Sequence, residues 1–164
     1  MSAQISFSKL FTYHVGDPSQ RLRLSELADE GEHVHGLLEL AIAGRALPYM
    51  GFFGPDDVCF NTWIEELLRA TQALAASEVS VYTFDEGEEG QPAFVFNRQG
   101  ETLYVSVVDS ALSGAAGDAS YQDIDCSWDE FRSAVTVFAS NFHDMLRHEC
   151  PLVAEKWWSR RIPG

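Results

Sequence analysis

Apolar residues fall on alternate positions through Ile5, Phe7, Phe11, Tyr13 and Val15, with Lys9 interrupting the row, which is the period of a half-buried strand. Gly16-Asp17-Pro18-Ser19 turns the chain, and Leu22 and Leu24 open a shorter alternating run. A longer one covers 34–46 and carries Val34, Gly36, Leu38, Leu40 and Ile42 on one side. Residues 36–43 also have good helix propensity, but the alternation favours strand. After the loop 48–55, punctuated by proline at both ends, the period changes. Phe60, Trp63, Ile64, Leu67, Leu68, Thr71, Leu74 and Ala75 share one face of a helix. Thr62 and Glu65 have capping-box spacing, with Asn61 as an alternative cap.

Four strands are predicted next, over Val79–Phe84, Phe94–Asn97, Leu103–Val108 and Tyr121–Cys126. The acidic turn 85–92, the short hairpin loop 98–101 and the small-residue loop 110–120 separate them. Ser127 and Glu130 form a second capping box, opening the longest helix, whose apolar face runs Trp128, Phe131, Val135, Phe138, Phe142 and Met145. Pro151 ends it, and residues 152–160 make a short helix with Trp157 and Trp158. Hairpin-linked strands with two amphipathic helices predict one α+β domain over residues 1–164. It is an antiparallel β-sheet meander packed against two amphipathic helices, with a short C-terminal helix.

Composition agrees with a packed domain: 46% of the 164 residues are hydrophobic and 12% aromatic, which argues against disorder. The first residues lack a basic stretch followed by an apolar run, and about 18 apolar residues nowhere run together, so neither a signal peptide nor a membrane span is expected. Cys59, Cys126 and Cys150 are odd in number and have no C-x-x-C spacing, which suits free thiols in a reducing compartment. The expected location is the cytoplasm.

The net charge of −14 changes the picture most, because it is concentrated. Between residues 81 and 125, nine acids (Asp85, Glu86, Glu88, Glu89, Glu101, Asp109, Asp118, Asp123 and Asp125) face one base, Arg98. Such a field repels nucleic acid and anionic membrane and attracts a basic partner. Six aromatics lie among these acids (Tyr82, Phe84, Phe94, Phe96, Tyr104 and Tyr121), and any that are exposed would serve as interface anchors. The expected partner-binding residues are therefore Asp85, Glu86, Glu88, Glu89, Asp109, Asp118, Asp123 and Asp125.

Catalytic and metal chemistry is less well supported. His33-Val-His35 puts two imidazoles on one face of a strand, but spacing alone places no third ligand, so the pair reads as a solvated polar face near a turn. His143 and His148 stand about 140° apart around a helix and do not converge. Asp56-Asp57 reads as charge favouring the start of the helix near residue 60. The loop 110–118 lacks the Lys-Ser/Thr pair of a phosphate loop, and there is no nucleophile elbow. No enzyme activity, metal or cofactor is expected.

Trp63-Ile-Glu-Glu-Leu-Leu, Val81-Tyr-Thr-Phe-Asp-Glu-Gly, Phe94-Val-Phe-Asn, Val105-Ser-Val-Val-Asp-Ser and Cys126-Ser-Trp-Asp-Glu-Phe build a meander followed by a long helix. Over residues 60–150 this architecture resembles the immunity proteins of bacterial polymorphic-toxin and type VI secretion systems. The resemblance implies a cytoplasmic antitoxin that binds one cognate toxin tightly, commonly by covering its active site, here through acids that mimic an anionic substrate. The alternative is a small-molecule-binding domain with an apolar pocket between a curved sheet and the last helix, lined by Gly36, Ala41, Ala43 and Gly44. A metal-dependent enzyme with a carboxylate pair comes third.

Overall fold

Two antiparallel sheets and three helices make up the computed structural model, which describes residues 2–51, 53–87 and 90–162. The first sheet orders its strands β2-β1-β3-β4, with β1 at Ala3–His14, β2 at Asp17–Arg23, β3 at Val34–Ile42 and β4 at Arg45–Ala46. A two-residue strand, β5 (Val58–Cys59), pairs with the start of β3 and runs directly into helix α1 (Phe60–Ala75). The second sheet is the expected meander of β6 (Val79–Phe84), β7 (Ala93–Gln99), β8 (Thr102–Val108) and β9 (Ile124–Ser127). Helix α2 (Trp128–Glu149) and helix α3 (Ala154–Arg161) complete the chain. The fold is thus α+β, and one buried cluster draws side chains from both sheets and all three helices.

The alternation expected in β3 is present: Val34, Gly36, Leu38, Leu40 and Ile42 are buried. The strand ends at a hairpin, where Ala43 (φ 52) and Gly44 (φ 77) both adopt the left-handed conformation of a type I′ turn. In β1 the alternation was misleading. Ser8 pairs with Leu37 and Phe11 with His35, so three steps on β1 answer two on β3, and Lys9 takes φ 55. This β-bulge flips the strand's parity. Phe7 points into the core against Phe60, Phe138 and Phe142, whereas Phe11 and Tyr13 turn to the opposite face and pack on His35. Gly36 is needed opposite the bulge, because a Cβ there would sit 2.9 Å from both Leu10 Cδ2 and the Ser8 carbonyl.

Helix α1 packs against β3 and β6, and α2 against β1, β8 and β9, so the two helices bind the sheets together. Their aromatic faces interlock: Phe60 stacks on Phe142 at 5.0 Å, and Trp63 meets Phe84 and Phe94 edge-on at 4.9 and 5.0 Å. Ser127 caps α2 by accepting from the Glu130 N–H, as the capping-box spacing predicts. At α1 neither expected cap operates. Cys59 holds the N-cap position without a side-chain capping bond, and Asn61 instead accepts from Val34 N and donates to the Glu32 carbonyl.

The Trp157-Trp158 pair divides its duties. Trp157 is buried and donates to the Glu32 carbonyl at 3.1 Å, while Trp158 lies flat on His143 with ring centres 4.2 Å apart. Arg161 is buried over the Trp157 ring and donates to the Trp157 carbonyl. Among the described residues, no helix is long and apolar enough to cross a membrane.

Candidate functional site: the acidic end of the meander and the adjoining histidine–cysteine pocket

The meander's hydrogen-bond register decides where its charge goes. Residues paired directly across antiparallel strands share a face, so Val81, Asn97, Tyr104 and Asp125 form one row on the outer face. Val79 and Val81 are 75% and 61% exposed there, with half-buried Val95 and Tyr104 beside them. The inner face carries Phe84, Phe94, Phe96, Leu103, Val105 and Val107, all buried. Of the six aromatics among the acids, only Tyr104 is on the outer face of a strand. Tyr82 bonds Glu66 from the inner face, and Tyr121 lies under the Arg45 guanidinium.

Because β6 and β8 end, and β9 begins, at the same edge of the meander, Asp85, Asp109, Asp118 and Asp123 converge on one end of it. Several of these carboxylates also brace the loop between β8 and β9. Asp85 accepts from the Ser110 hydroxyl at 2.7 Å and the Ala111 N–H at 3.0 Å. Asp109 accepts from Gly117 N at 2.8 Å, and Asp118 from Ser120 N at 3.0 Å and the Tyr49 hydroxyl at 3.2 Å. The Ser120 hydrogen bonds hold the Asp118 carboxyl below its usual range. Asp123 exchanges bonds with Ser106, and Asp125 stands opposite Tyr104. Glu86 lies just beyond β6, whereas Glu88 and Glu89 fall outside the described residues.

Arg98, the one base of this segment, points inward. It is 7% exposed, donates to the Leu74 and Gly100 carbonyls at 2.9 and 2.8 Å, and its guanidinium lies 4.7 Å above the Trp128 ring. Among the described residues of 81–125, the charge presented to solvent is therefore acidic.

Beside this end lies a pocket of about 150 Å³ lined by His33, His35, Met50, Phe53, Asp57, Cys59, Thr62, Trp63 and Glu86. Larger clefts flank α2, but their linings carry less convergent chemistry. The pocket owes its donors to β5. His35 and Cys59 are register partners across β3–β5, and His33, two residues before His35, projects from the same face. One donor atom from each of His33, His35 and Cys59 lies within 4.8 Å of the other two, and Cys59 Sγ is 3.9 Å from His33 Nδ1.

Asp57 reaches this cluster from the residue before β5. It is 5% exposed, accepts from the Tyr13 hydroxyl at 2.9 Å, and brings Oδ1 to 2.8 Å from His35 Nδ1. That last contact is close in distance but poorly aligned, and neither atom meets hydrogen-bond geometry with any other group. Burial lowers the His35 pKa, and the Asp57 charge opposes that shift. Burial likewise raises the Cys59 thiol, against hydrogen bonds from Thr62.

The sequence reading left His33 and His35 without a third ligand and assigned Asp57 to the helix dipole. A two-residue strand has no period to detect, so neither Cys59 nor Asp57 could be placed from the pattern. The four small residues expected to line an apolar pocket do not lie in the clefts flanking α2, among the described residues. The space between the first sheet and α2 holds Phe7, Phe60, Phe138 and Phe142.

Compared with protein-family models, curated proteins and solved structures, the chain finds no match in any of the three.

Proposed function

We propose that this is a cytoplasmic binding protein that neutralises a cognate protein toxin or effector by covering its basic surface with the acidic end and open face of the meander. The inward burial of Arg98 carries this reading, because the segment with the densest acids then withdraws its own base from a basic partner, leaving Arg45, which donates to the Ser120 carbonyl, as the cation beside Asp118. The outer face supplies the second ingredient of an interface: Val79, Val81, Val95 and Tyr104 are apolar groups set among Thr83, Asn97 and Ser106, with the Asp125 carboxylate opposite Tyr104. Asp125, opposite Tyr104 on the open face, and exposed Asp123, whose carboxylate accepts only a long 3.4 Å bond from Ser106 among the bonds described, are the acids best suited to direct contact, since Asp85, Asp109 and Asp118 brace their loop through shorter bonds. The immunity-protein likeness of the meander and long helix agrees with this role, and so does the lack of a nucleophile elbow or phosphate loop in the sequence.

The test is affinity capture from the native cells with two baits, the wild-type chain and Asp123→Lys/Asp125→Lys, each at low and at high salt. A stoichiometric basic protein held by the wild type at low salt, and depleted on the double variant, supports the proposal. Capture of the same proteins by both baits at both salts would count against the acidic surface as the binding face.

A further inference from the structure

We propose that His33, His35 and Cys59 form a site for one divalent transition-metal ion of the zinc type, with its fourth coordination position open to the pocket they line. The inference is independent of the acidic docking surface and rests on how β5 pairs with β3.

The donor set has the right chemistry. Two imidazoles and one thiol suit a borderline-soft ion such as zinc, and three protein ligands with a free fourth position are the usual pattern of a zinc site that admits water or a small ligand. The spacing is also close to what such an ion needs. Tetrahedral bonding with the usual Zn–N and Zn–S lengths puts nitrogen and sulfur about 3.5 Å apart. The His33 Nδ1–Cys59 Sγ distance is 3.9 Å, and all three donors lie within 4.8 Å of one another. Small side-chain rotations close the remainder, and His33, being exposed, is free to make one.

A second, independent observation comes from Asp57. Its Oδ1 is buried against His35 Nδ1 at 2.8 Å without good hydrogen-bond alignment to any donor, while Oδ2 is held by the Tyr13 hydroxyl. A carboxylate behind one nitrogen of a histidine fixes the ring so that the other nitrogen can coordinate, and here that leaves Nε2 for the ion. Tyr13 in turn fixes the carboxylate. The alignment that His35 and Asp57 lack would be completed as the ion sets the ring's orientation.

Charge agrees. Asp57 and Glu86 both border the pocket, so a dication enters an anionic environment. On binding, the Cys59 thiol loses its proton to solvent as the sulfur–metal bond forms, and the two imidazoles bind neutral.

The experiment is titration of chelator-treated, reduced full-length protein with Co(II), followed by displacement with Zn(II), together with thermal melts with and without Zn(II). The expected result is saturation at one equivalent, with a thiolate-to-cobalt charge-transfer band and the intense visible bands of a four-coordinate ion. Zn(II) should bleach those bands and raise Tm. Cys59→Ser should abolish the charge-transfer band, His33→Ala should weaken binding at least about tenfold, and Asp57→Asn about 10–100-fold. His14→Ala, at an exposed histidine elsewhere on the first sheet, should change nothing. Circular dichroism of each variant guards against misfolding, and His33→Ala alters only an exposed side chain. Absence of a saturable cobalt signal in the wild type, or an unchanged band in Cys59→Ser, would overturn the proposal.

Discussion

His35 and Cys59 face each other across a strand pair only two residues long on one side, and Asp57 closes on His35 from the residue just before it. That short pairing joins the outer face of the first sheet to the start of α1. It gathers Tyr13, Asp57 and His35 into one partly buried polar chain beside the rings of Phe11, Tyr13 and His35.

Asp57→Ala is expected to destabilise the fold by about 1–3 kcal/mol, because it leaves the Tyr13 hydroxyl without its acceptor and His35 without its carboxylate. Tyr13→Phe removes a single bond and should cost about 1 kcal/mol. Urea denaturation of both single variants and the double variant checks this. Their effects should be less than additive, since they share one interaction.

Phe142 is fully buried and touches Phe7, Phe60, Phe138 and Trp157. Phe142→Ala should therefore cost about 3–5 kcal/mol, the range for removing a buried aromatic ring. A shift of less than about 1 kcal/mol in chemical denaturation would mean that α2 is not clamped to the first sheet in this way.

Gly36→Ala tests the bulge. The added methyl would lie 2.9 Å from a Leu10 methyl and, less forgivingly, 2.9 Å from the backbone oxygen of Ser8. A loss of about 1–3 kcal/mol is expected from overpacking. If the bulge were absent, the residue would tolerate alanine as any core position does.

Alkaline pH should unfold the protein partly through its thiols. Burial is the main cause pushing Cys126 up to about 12 and Cys150 up to about 11, from an ordinary 9.0. Their folded-state pKa values are raised, so the unfolded chain releases these protons first. Stability is then full below about pH 9 and falls as pH rises toward 11–12. Tyr82, raised by burial and by its bond to Glu66, acts in the same direction. Cys126→Ala/Cys150→Ala should therefore flatten, without abolishing, the decline in Tm between pH 9 and 11. In the native protein at pH 8, both thiols should react with an alkylating agent only as fast as the chain opens.

Much of the architecture was legible because it is periodic. The α1 face through Phe60, Trp63, Ile64, Leu67 and Leu74, and the α2 face through Phe131, Val135, Phe138 and Phe142, are repeats long enough to stand out. β6 was placed to the residue for the same reason. What escaped were the non-periodic events. The bulge at Lys9 sends Phe11 and Tyr13 to the other face, although they continue the row begun by Ile5 and Phe7. The last strand begins at Ile124 rather than Tyr121, because Asp123 takes φ 51 and Tyr121 N closes a turn onto the Asp118 carbonyl. The acidic segment was visible as composition, but the inward burial of its only base was a tertiary fact. The Cys59–His35 pairing, between residues 24 apart, left no trace in the local pattern.

The most direct measurement is the affinity of the captured, purified partner for the wild type and for Asp123→Lys/Asp125→Lys, by calorimetric titration at low and at physiological salt. The account predicts wild-type binding that weakens with salt, and about a tenfold or greater loss in the variant at low salt. Equal affinity of the two proteins, unchanged by salt, would contradict the claim that the acidic end of the meander is what the partner binds.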